Sequence, residues 1–135
     1  MFRQLSIFAE NKRGAMNALT TILKENEINI NTLVTNDSAE FGIVRMIVDD
    51  PEKALKAMTD KGYLCRIDSV VAVEMEDTFG SLDKLLTEIT VAYLNLDYIY
   101  ISFNRDTMAP VAILKSTDGD ELESFLVGKG YKVIS

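Results

Sequence analysis

Histidine is absent from this 135-residue chain, and cysteine occurs once, as Cys65. Without an imidazole to take the proton, neither a Ser-His-Asp nor a Cys-His relay can form. The same shortages exclude a Cys/His zinc site and a disulfide within one chain. Basic residues are a minority: 14 Lys and Arg face 21 Asp and Glu, a net charge of -7. Binding a phosphate backbone depends on a basic surface that releases counterions, so no nucleic-acid partner is expected. No polybasic segment is present for an anionic membrane. No stretch approaches the ~20 apolar residues that span a bilayer, and the first residues lack the pattern of a cleaved signal. Carboxylates alone can hold magnesium or calcium, but no ligand-dense acidic loop appears. The run from Asp118 to Glu121 lacks the rest of the calcium spacing, so neither metal nor cofactor is expected.

What remains is ordinary in composition, 47% hydrophobic and 26% charged. Those proportions describe a globular chain of one domain or two very small ones. A soluble, cytoplasmic protein is the expectation, with few catalytic options.

The chain repeats itself. LSIFAENKRG (5–14) is echoed by VAVEMEDTFG (71–80), a shift of 66 positions. At the same shift Glu10 meets Glu76, Leu19 meets Leu85, Thr21 meets Thr87 and Asn29 meets Asn95. Lys61-Gly62-Tyr63 returns as Lys129-Gly130-Tyr131, now 68 apart, as two residues inserted in the second middle loop would produce. Identities are sparse, yet the turn residues fall at matched places across the whole chain.

Each half reads as strand, helix, strand, strand, helix, strand. Residues 3–10 alternate, with Leu5 and Ile7 on one face. Ala15, Met16, Leu19, Ile22 and Leu23 then recur at helical spacing from Gly14. Strands over 28–34 and 41–48 flank the turn cluster Asn36-Asp37-Ser38, predicting a hairpin. Asp50 caps a helix that Pro51 begins, Ala54, Leu55 and Met58 give its buried face, and Gly62 ends it. A strand over 64–67 closes the half. The second half predicts strand 70–75, a helix from 80 to 89 or slightly beyond, and a hairpin of 96–103 and 111–114 around Asn104-Arg105-Asp106. Asp118 caps a helix to 129, and strand 131–134 follows. Only Asp68 and Ser69 punctuate the halves, so domains of 1–68 and 69–135 are expected to be docked. The fold class is α+β: two ferredoxin-like βαββαβ units side by side in a continuous, mainly antiparallel sheet, with helices on one face.

Two pairs of positions carry the functional argument. The loops 10–14 and 76–80 each join a strand end to a helix start. There, unpaired N–H groups and the helix dipole can receive an anion, and glycine lets it approach the main chain. Gly14 and Gly80 alone could equally just complete a tight turn. Asn29 and Asn95 form the second pair. Their amides offer donor and acceptor together, which suits an amino acid's ammonium and carboxylate. Asn is also common in the left-handed turn after a helix. If the units pair through the edges made by their second strands, Asn95 approaches the Asn11–Gly14 loop and Asn29 the Asp77–Gly80 loop. Tyr93, Tyr98 and Tyr100 cluster around the second edge strand, where cross-strand packing is the common role. Cys65 fits a small core residue better than a nucleophile.

In this order and doubling the chain resembles a tandem pair of ACT domains, small regulatory modules that bind amino acids. The matching residues are LSIFAENKRG (5–14), Ile28-Asn29-Ile30, DDPEKAL (49–55) and Lys61-Gly62-Tyr63, with weaker counterparts in the second half. The resemblance implies ligand sites around Asn11, Gly14 and Asn95, and around Asp77, Gly80 and Asn29. It also implies a homodimer and a separate protein target. The family often has proline before its loop glycine, where this chain has Arg13 and Phe79. In the second loop Asp77 would repel a ligand carboxylate, so one site is expected to be altered or empty. The function so implied is non-catalytic: an amino acid shifts a docking or oligomerisation equilibrium. The alternatives are an adaptor without ligand, and an acylphosphatase-like enzyme using Arg13 and Asn29.

Overall fold

The computed structural model describes residues 1–35 and 41–135, apart from the side chain of Phe41. Its elements are β1 (Phe2–Glu10), α1 (Ala15–Glu25), β2 (Ile30–Thr35), β3 (Phe41–Val48), α2 (Pro51–Asp60) and β4 (Leu64–Glu74). They continue with α3 (Ser81–Val91), β5 (Tyr98–Phe103), β6 (Pro110–Lys115), α4 (Gly119–Gly128) and β7 (Lys132–Ile134). The chain divides into two compact units, Arg3–Asp68 and Ser69–Ser135, the latter joined by Met1–Phe2.

The N-terminal unit orders its strands β2-β3-β1-β4. β3 pairs antiparallel with both β1 and β2, with Leu5 opposite Met46 and Ile7 opposite Val44. Period-2 alternation puts Leu5, Ile7, Val44 and Met46 against Leu19 and Leu23 of α1 and Ala54 and Met58 of α2 in one core. Burying such a side chain contributes about 1.5–3 kcal/mol. Cys65 is half-buried against this core, its Sγ 3.8 Å from the Leu55 carbonyl it faces, as expected of a packed thiol.

In the C-terminal unit the order is β5-β6-β4-β7, all antiparallel. Val71, Val73, Ala112 and Leu114 meet Leu85 and Ile89 of α3 and Leu122 and Leu126 of α4. On the opposite face Val70, Ala72, Val111 and Ile113 form a second buried cluster with Phe2, Tyr100 and Ile134. Tyr100 stands opposite Ile113 and packs there, the cross-strand role expected of it. Two ferredoxin-like βαββαβ units, α+β in class, thus follow from the repeated hydrophobic pattern.

Several local expectations change. Residues 64–67 and 70–75 are not two strands: β4 runs unbroken through Asp68 and Ser69. The polar side chain of Asp68 is satisfied in place, accepting from Ser6 Oγ at 2.7 Å and Arg66 Nε at 3.0 Å, so it has no need of a turn. β2 begins at Ile30 and β5 at Tyr98, each two residues later than expected; left-handed residues at Glu27 (φ 55) and Tyr93 (φ 59) turn the chain out of the preceding helices. Asp50 caps α2 as expected, its Oδ1 accepting the Lys53 N–H at 3.1 Å. Asp118 occupies the same place before α4 yet makes no side-chain cap bond. Its own N–H donates to Ser116 Oγ instead, at 3.2 Å. The Asn36-Asp37-Ser38 turn lies outside the described residues.

Candidate functional site

The loop from β1 to α1 closes by main-chain bonds, Lys12 N–H to the Glu10 carbonyl (3.1 Å) and Ala15 N–H to the Lys12 carbonyl (3.2 Å). Gly14 is the residue before the helix and sits at φ 82, ψ -5. That left-handed conformation penalises any side chain, so the turn itself requires glycine there. Gly80 repeats the geometry before α3 at φ 84, ψ -1. The tight-turn role of both glycines is therefore real.

The two helix starts differ in electrostatics. Neither α1 nor α3 has a side-chain cap bond. The first amides of a helix have no acceptor within it, so both ends present N–H groups and the positive end of a dipole. α1 carries no acidic residue in its first turn and is approached by Lys12 and Arg13. Lys12 is paired with Glu10 at 3.0 Å, while Arg13 is exposed without a partner among the described residues. α3 has Asp83 in its first turn and Asp77 in its loop, where Thr78 Oγ1 and Ser81 Oγ lie 2.6 Å apart. Physical chemistry thus favours an anion at α1 and opposes one at α3.

A cleft of about 350 Å³ lies beside the first loop, lined by Glu10, Asn11, Lys12, Met16 and Thr35. Gly14 lines a second cleft of about 500 Å³ with Arg13, Gly62 and Tyr63. Asn29 lies elsewhere, in a cleft of about 430 Å³ with Lys24, Glu27 and Ile30. α1 separates the two places, and its eleven residues span about 16 Å. Within the N-terminal unit, then, Asn11 and Gly14 stand together and Asn29 stands apart. The acylphosphatase-like arrangement is corrected by the same geometry: Arg13 precedes α1 and Asn29 follows it, too far apart to serve one phosphate.

Asn29 and Asn95 are not the left-handed residues that end their helices; Glu27 and Tyr93 are. The backbone of Asn29 is held instead, its N–H donating to Asp49 Oδ1 (3.1 Å) and its carbonyl accepting from Asp49 N–H (3.2 Å). The Asn95 carbonyl accepts from Ser116 Oγ at 2.7 Å. Both residues are exposed, and neither side-chain amide is bonded among the described residues. Asp77 and Gly80 are exposed in the second loop.

One group of residues escaped the sequence reading. Glu74, Lys84, Glu88, Tyr131 and Lys132 line a cleft of about 570 Å³ in the C-terminal unit. Glu74 is bonded by Lys132 at 2.9 Å and Thr107 at 2.9 Å, with Asn104 at 3.5 Å. Those donors, Lys132 first, hold its carboxyl below the ordinary 4.5 against an opposing desolvation effect. Burial first, then a hydrogen bond with the Glu88 carboxylate and its charge, push the Tyr131 hydroxyl up to about 12. The available signal was the repeat itself, since the positions matching Glu74, Glu88 and Lys132 are Phe8, Ile22 and Leu64. Among the described residues no group of three or more His, Cys, Asp or Glu is gathered for a metal ion, and no helix is long and apolar enough to cross a membrane.

The comparisons with known proteins bear on the whole chain. A family model described as an ACT domain pair matches residues 1–129. A protein of known structure from Bacteroides thetaiotaomicron is 31% identical, superposes with a TM-score of 0.91, and is matched over 98% of this chain and 91% of its own. The regulatory subunits of aspartate kinase from Thermus thermophilus and Thermus flavus share the fold at 11% identity each. Their TM-scores are 0.65 and 0.63, over 93% of this chain and 91% and 90% of theirs. No curated protein matches.

Proposed function

Because the chain belongs to the ACT domain pair family, we propose that it is a non-catalytic regulatory protein that binds a free amino acid and passes that event to its own oligomeric state or to a separate protein. The ligand residues in this reading are Asn11, Gly14 and Asn95, with Asp77, Gly80 and Asn29 as the second set. The observation that carries it is the start of α1: uncapped amides, no acidic residue in the first turn, Arg13 unpaired, and Asn11 lining an adjacent cleft. A ligand carboxylate satisfies those amides and the dipole together. An amide then takes the ligand's ammonium, and Asn29 stands too far along α1 to serve the loop of its own unit. The reading therefore assigns the amide to another ACT unit.

The second set is the weaker binder, because Asp77 and Asp83 oppose a carboxylate at α3. Binding controls a partner or a homodimer only through its difference in affinity between two states. The setting proposed is the cytoplasm.

Calorimetric titration of denatured and refolded protein with each standard amino acid tests this. Saturable binding by one or two of them, weakened in Asn95→Ala, supports the reading; sedimentation with and without that amino acid then reports the oligomeric change. If no amino acid binds, an adaptor without a ligand replaces it.

A further inference from the structure

Two exposed apolar features lie outside the reading above, one on each unit. In the N-terminal unit Leu64 is 74% and Phe8 44% exposed. Together with Ile43, Cys65, Ser6 and Arg66 they line a cleft of about 160 Å³. In the C-terminal unit Phe79, in the loop before α3, is fully exposed.

Single apolar residues on a surface are ordinary, but the repeat shows that folding requires neither of these. The position matching Phe79 holds Arg13. The positions matching Phe8 and Leu64 hold Glu74 and Lys132, which pair with each other at 2.9 Å. Each unit closes its core without the feature that the other carries. One unit has a projecting ring, and the other has an apolar cleft.

Size and polarity match the ring to the cleft. A cavity of about 150 Å³ lined by Leu, Ile and Phe accepts benzene, so this cleft has room for one phenyl side chain. Tyr93 is nearly as exposed as Phe79 but would carry a hydroxyl into apolar surroundings. Ser6 Oγ, the hydroxyl of the cleft, is already bonded to Gln4 and Asp68. Phe79 brings no polar atom. Charge matches as well. Between residues 76 and 84 Phe79 is accompanied by Glu76, Asp77 and Asp83, with Lys84 the one base. Arg66 lines the apolar cleft, and Lys12 and Arg13 line the cleft that shares Phe8 and Leu64 with it. Glu10 is the one carboxylate among the residues lining the two. For a chain of net charge -7, setting an acidic loop against a basic rim lowers the repulsion between two copies.

We propose that the Phe8–Ile43–Leu64 cleft seats Phe79 of a second copy of this chain. Phe79 is fully exposed in its own chain, so the ring comes from another. The contact joins unlike surfaces, the N-terminal unit of one copy and the second loop of its partner. It requires no amino acid and does not rest on the ligand reading.

Sedimentation of refolded protein without amino acids tests it, in wild type, Phe79→Arg, Leu64→Lys and Tyr93→Ser. Arginine and lysine are the residues that the repeat already uses at those two positions, and both side chains replaced are exposed, so melting temperatures should stay near wild type. The expected result is self-association above the 15.1 kDa monomer in wild type and Tyr93→Ser, weakened at least about tenfold in Phe79→Arg and in Leu64→Lys. An equimolar mixture of the two weakened variants should associate again, less tightly than wild type, because one copy keeps an intact cleft and the other an intact ring. A monomeric wild type overturns the proposal, as does association that survives either substitution or a mixture that associates no better than its components. Amino-acid binding is measured separately, so either result leaves the ligand reading to its own titration.

Discussion

The repeat contains its own controlled experiment in helix capping. Asp50 and Asp118 occupy matching positions before α2 and α4, but only Asp50 makes a side-chain cap bond, Oδ1 to Lys53 N–H at 3.1 Å. Replacing a bonded cap by alanine costs about 1 kcal/mol, within about 0.5–2. Part of any Asp→Ala effect is loss of a charge at the positive end of the helix dipole, about 0.3–1 kcal/mol, and this acts at both positions. Asparagine keeps the acceptor and removes the charge. Subtracting Asp→Asn from Asp→Ala therefore isolates the bond: about 1 kcal/mol at position 50 and near zero at 118. Urea unfolding of the four variants by circular dichroism measures it, as midpoint shifts at constant slope. Equal differences at the two positions, or a difference under about 0.3 kcal/mol at Asp50, would refute the reasoning that geometry rather than residue type sets the cap.

Three further outcomes are expected. Gly14→Ala meets no atom within 4 Å but must hold φ 82, so it is destabilised by about 1–2 kcal/mol of left-handed strain, which thermal unfolding reads. The raised pKa of Tyr131 stabilises the fold fully below its unfolded value of 10.0, and this is lost as pH climbs towards about 12. Absorbance titration should show one tyrosine ionising late, absent in Tyr131→Phe. Glu74 has a lowered pKa, so its contribution is present above 4.5 and is lost as pH falls below that. Lys132→Met removes the first cause, and its melting temperature should then fall less steeply than wild type over the same acid range.

Much of the architecture was legible because it depends on short-range rules. Alternation marks β1, helical spacing marks α1, Asp50-Pro51 begins α2, and glycines at 14 and 80 supply the left-handed residue each turn requires. The duplication extends these readings from one half to the other, down to the left-handed Glu27 and Tyr93, 66 positions apart. The loop half of the candidate site is legible for the same reason, since a strand end, a glycine and a helix start are adjacent in the chain.

Tertiary structure decided what neighbours in sequence do not control. Asp118 differs from Asp50 because Ser116 Oγ, itself bonded to the Asn95 carbonyl, engages the Asp118 N–H. β4 continues through Asp68 because Ser6, brought alongside from β1, satisfies its carboxylate. Lys84 and Glu88 read in sequence as an ordinary solvent-exposed pair on a helix. Folding sets Glu88 against Tyr131 from the far end of the chain, and burial together with their hydrogen bond raises the Tyr131 hydroxyl to about 12. The sequence by itself determined the two ACT-like units, because backbone conformation and the hydrophobic period are local properties. Burial and hydrogen-bond partnership belong to groups distant in the chain, so only the packed structure could decide which polar side chains are satisfied and by which partners.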